Sequence, residues 1–69
     1  MTGADLATWR QQHGLSVEEA AALLGCYRSS IYRWEEGAME LRGSVQELLR
    51  LLQDPVIYRR ATVLAGRRA

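Results

Sequence analysis

The fold is decided by residues 15–37, which read LSVEEAAALLGCYRSSIYRWEEG. Ser16 followed by Glu19 has the spacing of a capping box, in which each side chain satisfies a backbone amide of the other residue. Apolar residues then recur at helical spacing, and Gly25 stands where a left-handed residue ends a helix. The pattern predicts one helix that begins at Ser16, and a second helix after a turn of about three or four residues.

The second helix, predicted over residues 28–36, has two opposed faces. At about 100° per residue, Ile31 and Trp34 share one side. The other side carries arginine, hydroxyl and phenol groups, contributed by Arg28, Ser29, Tyr32 and Arg33. Two helices joined by a short turn, with a basic face on the second, are typical of the helix-turn-helix unit, whose second helix enters the DNA major groove. These four residues are therefore candidate DNA contacts, and Arg28 and Ser29 are the strongest of them.

The same stretch resembles the helix-turn-helix of the phage repressor and Cro-like family, also called the xenobiotic-response-element family. The shared positions are Leu15-Ser16, Ala20 in mid-helix, Leu24-Gly25, Ile31, and the run Trp34-Glu35-Glu36-Gly37. With the upstream residues 10–15, the resemblance covers roughly half the chain, and its combined motifs are fairly specific. It implies an all-α, lambda-repressor-like DNA-binding domain of five short helices, in which helices 2 and 3 form the helix-turn-helix at about residues 16–36.

The resemblance also implies roles for single residues. Arg10 matches a position that pairs, in relatives, with the glutamate equivalent to Glu35, so these two are expected to form a structural ion pair. Residues 38–43 match a loop that approaches the DNA backbone, and Arg42 is its candidate phosphate ligand. Many relatives have a phosphate-binding glutamine where this chain has Val17, and valine cannot make that side-chain bond, so Val17 is left out of the site.

Tyr27 is a second departure, because the family usually has serine or threonine there as the cap of helix 3. Tyrosine is a poor cap. Two interpretations of Tyr27 are open. In one, its hydroxyl or ring contacts a DNA phosphate or sugar, which makes it a candidate DNA-binding residue; in the other, the ring packs over Leu24 and Cys26.

The remaining sequence predicts three more helices. Thr2 and Asp5 repeat the capping-box spacing, so helix 1 is expected over about residues 3–12, with Leu6 and Trp9 on its apolar side and His13 solvated at its end. Helix 4 is expected over residues 44–53. Its apolar stripe comprises Val45, Leu48, Leu49 and Leu52, with Leu41 folded beneath it. Asp54-Pro55 is a cap followed by proline at the first helical position, which predicts helix 5 over about residues 55–65.

Helices 4 and 5, at about residues 44–65, hold more apolar residues than a small core needs. Leu51 lies off the apolar stripe of helix 4, and an exposed leucine indicates a surface covered by another element or subunit. We expect a homodimer interface that includes Leu51, Val56, Ile57 and Leu64. Packing of helix 5 on its own domain is nearly as good an interpretation. The tail Arg67-Arg68 either touches phosphates or has no specific role.

Composition narrows the function classes. The 69 residues are expected to form one domain with net charge +1, and all nine basic residues are arginine, whose planar fork suits phosphates and guanine edges. A coding bias towards arginine explains the composition equally well.

The single cysteine, Cys26, excludes an internal disulfide, and neither a membrane span nor a signal peptide is apparent. We expect a cytoplasmic protein of a bacterial or phage-infected cell, with no cofactor, metal site or small-molecule effector.

Taken together, the sequence and the resemblance predict a sequence-specific regulator of transcription that binds double-stranded DNA, most simply a homodimeric repressor acting on a two-fold symmetric operator. In the family, small phage-borne regulators, including those encoded beside anti-CRISPR genes, commonly repress their own operons. The alternative is an antitoxin or protein-interaction adaptor that uses the same fold as a scaffold. An enzyme is not expected, since the carboxylates are scattered along helix faces and no glycine-rich phosphate loop is present.

Overall fold

The computed structural model describes residues 1–66, which form five α-helices and no strand. The helices are α1 (Gly3–Gln12), α2 (Val17–Leu24), α3 (Arg28–Glu35), α4 (Gly43–Leu51) and α5 (Pro55–Gly66). The predicted all-α class with five short helices is confirmed. The bounds of α1 are as expected, whereas α3 ends one residue earlier than expected and α5 one residue later.

Helix α4 begins one residue earlier and ends two residues earlier than the expected range of 44–53, since it covers residues 43–51. The backbone amides of Gln53 and Asp54 bond to the carbonyls three residues before them, at 3.2 and 3.1 Å, which tightens the chain into a turn. The residue before a proline disfavours helical backbone angles, so the turn must be complete at Asp54. Asp54 then caps α5, because its Oδ1 accepts the amide of Val56 at 2.8 Å.

Two capping boxes start α1 and α2 at the positions that the sequence predicted. Thr2 N donates to Asp5 Oδ2 at 2.8 Å, and Ser16 N donates to Glu19 Oε1 at 2.9 Å. These backbone hydrogen bonds lower the pKa of both carboxyls below their ordinary values of 3.8 and 4.5, since they favour the charged form. The charged boxes are therefore complete at neutral pH, and their contribution is lost only in acid, as the pH falls through the lowered pKa values.

The turn between α2 and α3 depends on Gly25. This residue has a φ of +67°, in the left-handed region that side chains disfavour, and its amide bonds to Ala21 O. The amide of Cys26 bonds to the same carbonyl at 3.0 Å. The chain can therefore leave α2 and enter α3 within three residues, 25–27, as the sequence predicted.

The core lies where α1, α2, α3 and α4 meet. Its buried apolar residues are Leu6, Trp9, Ala20, Ala21, Leu24, Ile31, Trp34, Leu41, Val45, Leu49 and Leu52, whereas Leu48, expected on the same stripe of α4, is only partly buried. Leu41 is 5% exposed and lies under α4, as expected. Ala20 is fully buried in the unit formed by α2 and α3, so a small side chain at this position lets the two helices approach closely.

Helix α1 approaches the end of α3 more closely than any side chain at Gly3 would allow. A Cβ placed on Gly3 would collide with the carbonyl group of Trp34. Gly3 is therefore required by contact between two backbones rather than by its own dihedral angles. This requirement, together with the burial of Trp34, fixes the position of the C-terminal end of α3.

His13 is exposed at the end of α1, as expected, but its ring has a partner that the sequence did not predict. Although the residue is exposed, its ring stacks on Tyr58 of α5, with ring centroids 4.0 Å apart and planes 26° from parallel. Tyr58 also meets Trp9 edge-on at 6.2 Å. The reason is tertiary: α5 folds back across the end of α1, which the spacing of His13 alone does not reveal.

Helix α5 packs on α2 through half-buried residues such as Ala61, and none of its residues, all within the described part of the chain, is fully buried. Several of its apolar side chains are largely exposed, namely Val56, Ile57, Val63 and Leu64. Of the helices in residues 1–66, none has the length and apolar character that crossing a membrane requires.

Candidate nucleic-acid interface

Helix α3 separates its residues into a buried and an exposed face, as the sequence predicted. Ile31 and Trp34 are 0% and 1% exposed and anchor the helix in the core. The candidate contact residues Arg28, Ser29, Tyr32 and Arg33 are all exposed, and they lie on one continuous surface of the helix. A short helix held by two large core residues presents these side chains on a rigid support.

The Arg10–Glu35 ion pair expected from the resemblance is present, and it fixes the end of α3 to α1. Arg10 Nε donates to Glu35 Oε2 at 2.8 Å, and Nη2 donates to Oε1 at 2.9 Å, so the contact is bidentate. The third donor, Nη1, bonds to the carbonyl of Leu15 at 3.1 Å. The hydrogen bond to Glu35 is the main cause that raises the pKa of Arg10 further. One guanidinium thus ties together α1, the segment before α2, and α3.

Arg28 lies at the first position of α3 and contacts an acidic residue of α2. Its Nη1 lies 3.4 Å from Glu18 Oε1, at the long limit of a hydrogen bond, and the two side chains are 70% and 60% exposed. Glu18 lies in the first turn of α2, where an acidic side chain also favours the helix dipole. Its pairing with Arg28 depends on how α2 docks on α3, and sequence spacing alone does not reveal it.

Tyr27 gives no side-chain hydrogen bond to α3, in agreement with its poor capping character. It is 82% exposed, so its ring buries little surface against Leu24 or Cys26, and the packing interpretation does not describe it. The first amides of α3 have no side-chain cap and remain available to solvent or to an anion. Val17, by contrast, is half-buried and packs against the core.

Arg33 and Arg42 are exposed and form no ion pair within residues 1–66. Arg42 immediately precedes α4. Burial raises the pKa of the Cys26 thiol, and the charge of Arg42 partly offsets that rise. The guanidinium groups of Arg33 and Arg42 are therefore both accessible to a partner from solvent.

The residues expected at a dimer interface lie away from the core. Leu51, Val56, Ile57 and Leu64 are 53%, 62%, 39% and 59% exposed. Val63, which the sequence did not single out, is 51% exposed. The tail residues Arg67 and Arg68 lie outside the described residues. Within the described part of the chain, no three His, Cys, Asp or Glu residues come together as a metal-ligand set.

Comparison with protein families gives one finding. A family described as a helix-turn-helix domain matches residues 3–53, more than two thirds of the 69-residue chain. No match was found among curated proteins or among solved structures. The matched residues begin at α1 and end just after α4, so they contain the whole core and every candidate contact residue.

Proposed function

The chain belongs to the helix-turn-helix domain family, and we propose that it is a sequence-specific DNA-binding regulator of transcription. In this proposal, α3 enters the major groove, Arg28 and Ser29 read base edges, and Tyr32 and Arg33 extend the contact along the groove. The observation that carries the proposal is the division of α3, whose core side is anchored by Trp34 while its opposite side is exposed and basic.

Contacts to the DNA backbone come from both sides of α3. The exposed phenol of Tyr27 precedes the helix, and the exposed guanidinium of Arg42, which forms no ion pair within residues 1–66, follows it in the chain. Contacts of this kind position the protein on the duplex but carry no sequence information. A few of them suffice to make binding weaken as the salt concentration rises, since each neutralised phosphate releases counterions.

The finer proposal is a homodimeric repressor of the phage repressor and Cro-like type, acting in the cytoplasm on a two-fold symmetric operator of a small phage or mobile-element operon. Support for two copies comes from the apolar surface of Leu51, Val56, Ile57 and Leu64, which is more exposed than an isolated helical domain requires. On such an operator, the two copies of α3 would lie about 34 to 36 Å apart, in successive major grooves.

The test of DNA binding starts with selection of bound duplexes from a random pool, followed by measurement of Kd by fluorescence anisotropy at several salt concentrations. Arg28→Ala combined with Arg33→Ala should weaken binding to the selected duplex by about 30-fold or more, since two base contacts give about 1 kcal/mol or more each. The control is Arg50→Ala combined with Arg59→Ala, which removes the same charge from other helices. Equal losses in the two double variants, or an affinity that salt does not change, would refute the proposal.

The alternative proposal is an antitoxin or adaptor in which the exposed surface of α5 binds another protein. The observation in its favour is that Arg59 and Arg60 lie on α5 among the exposed apolar side chains, and positive charges on both copies oppose self-association there. Light scattering of the protein alone and bound to its selected duplex separates the two proposals. Two copies on each duplex favour the homodimer, and one copy favours the adaptor.

A further inference from the structure

The ion pair between Glu18 and Arg28 has a consequence for base recognition. We propose that Glu18 determines specificity by holding Arg28, so that this arginine contacts a base edge in the right duplex and is withheld from phosphates in the wrong one. The inference rests on the proposed DNA binding, and it concerns a residue to which the helix-turn-helix motif gives no such role. Glu18 would act through Arg28 and is therefore a positioning residue.

The geometry leaves Arg28 able to bind DNA while it is paired. Glu18 Oε1 approaches only Nη1, at 3.4 Å. A guanidinium has five N–H donors in a planar fork, so one carboxylate contact leaves donors for the O6 and N7 atoms of guanine. The side chains of Arg28 and Glu18 are 70% and 60% exposed, so their ion pair is weak. Arg28 can therefore shift by a small distance when the protein docks on DNA.

A phosphate is a different partner, because it competes with Glu18 for the same positive charge. While Arg28 is paired with Glu18, the carboxylate offsets part of the positive charge that would attract a phosphate. To attract the phosphate with its whole charge, Arg28 must separate from Glu18, and the carboxylate then repels that phosphate. The neighbouring Glu19 is also charged, but its Oε1 accepts the amide of Ser16 in the capping box. Glu18 is the carboxylate that contacts Arg28 directly.

The test compares Glu18→Gln with Glu47→Gln. Glu47 is a matched control, because it also forms an exposed ion pair with an arginine, Arg50 at 3.1 Å, but on α4. Binding of each variant to the selected duplex and to a random duplex of equal length is measured over a range of salt concentrations. Circular dichroism verifies that both variants are folded.

We expect Glu18→Gln to bind the random duplex about two- to five-fold more tightly, the range that corresponds to one exposed ion pair. The salt dependence, written as log K against log salt, should become steeper by about 0.9 because one more phosphate is neutralised. Affinity for the selected duplex should change by less than about two-fold, so the ratio of the two affinities falls. The Glu47→Gln control should leave this ratio unchanged.

The same substitution in an Arg28→Ala background isolates the pair. If Glu18 acts through Arg28, Glu18→Gln has no effect on the affinity ratio once the arginine is gone. An effect that persists in that background, or one that Glu47→Gln reproduces, overturns the inference while leaving the proposed DNA binding intact. If the unaltered protein binds neither duplex in a salt-dependent way, the proposed function itself fails, and this inference fails with it.

Discussion

Residues 3–53 and helix α5 differ in how they bury apolar surface. Every buried apolar side chain among the described residues lies between Leu6 and Leu52, inside the part of the chain that matches the family. Helix α5 buries none fully, and Val56 and Leu64 are 62% and 59% exposed. The fully buried core thus lies within residues 3–53, whereas α5 contributes only partly buried residues to it and leaves several apolar side chains exposed.

The largest effect is expected from a substitution in the core formed by residues 3–53. Trp34→Ala removes a side chain that is 1% exposed, and we expect it to lower the free energy of unfolding by about 3 to 5 kcal/mol, enough to unfold much of a small domain. Urea denaturation followed by circular dichroism measures the change. The control is Tyr32→Ala on the opposite face of α3, expected to cost less than about 0.5 kcal/mol. Similar costs for both variants would contradict the two-faced description of α3.

A smaller effect is expected where α1 meets α3. Gly3→Ala places a methyl group against the backbone of Trp34, and the required shift should cost about 1 to 3 kcal/mol of unfolding free energy. Gly43→Ala is the matched control, since Gly43 is also the first residue of a helix but has open space around its Cβ position. That control should be neutral or stabilising by up to about 1 kcal/mol. Thermal unfolding of the two variants side by side gives the answer, and a stable Gly3→Ala protein would show that the close approach is unimportant.

The Arg10–Glu35 ion pair should be weakened by a substitution at Arg10 that changes the shape of the side chain but keeps its charge. Arg10→Lys keeps the positive charge but cannot reproduce the bidentate contact with Glu35 and the third bond to Leu15, so we expect a loss of about 1.5 kcal/mol. Arg50→Lys, in an exposed pair with Glu47, should change stability by less than about 0.5 kcal/mol. The two losses are compared by chemical denaturation. Equal values would mean that partial burial adds nothing to the Arg10–Glu35 pair.

What the sequence predicted well was local. The capping residues Ser16 and Glu19, the left-handed Gly25, and the helical spacing of Ile31 and Trp34 are statements about neighbours along the chain, and each was confirmed. The Arg10–Glu35 pair spans 25 residues, and it was expected only through the family resemblance. Local patterns thus determined the helices, and the resemblance supplied their arrangement.

What the sequence missed depends on how the helices dock. Gly3 looked like an ordinary first residue of a helix, although it meets the backbone of Trp34. His13 is exposed as predicted, but the sequence does not reveal that it stacks on Tyr58, 45 positions further along the chain. The Glu18–Arg28 contact joins two helices across their turn. In each case the partner is set by an interhelical distance, and no periodicity within one helix contains that information.

The smallest expected effect comes from a comparison of two leucines, one on α5 and one in the core. Leu64→Ala on α5 should change the free energy of unfolding by less than about 0.5 kcal/mol in dilute protein, because the side chain is 59% exposed. Leu49→Ala, at a leucine that is 0% exposed, should cost about 2 to 5 kcal/mol. Unfolding is measured at several protein concentrations. A large cost for Leu64→Ala even at the lowest concentration would place α5 within the core and remove the distinction between the two regions.

The stack of Tyr58 on His13 also determines how α5 can move. Because α5 is held by this stack and by half-buried contacts with α2, it can open locally without removing a fully buried side chain of its own from the core. Amide hydrogens exchange with solvent at rates that reflect the free energy of such openings. Those of α5 should therefore exchange well before those of α3, whose opening requires Trp34 to leave the core. If two copies associate through α5, the amides of this helix should exchange more slowly, because association makes its local opening less favourable.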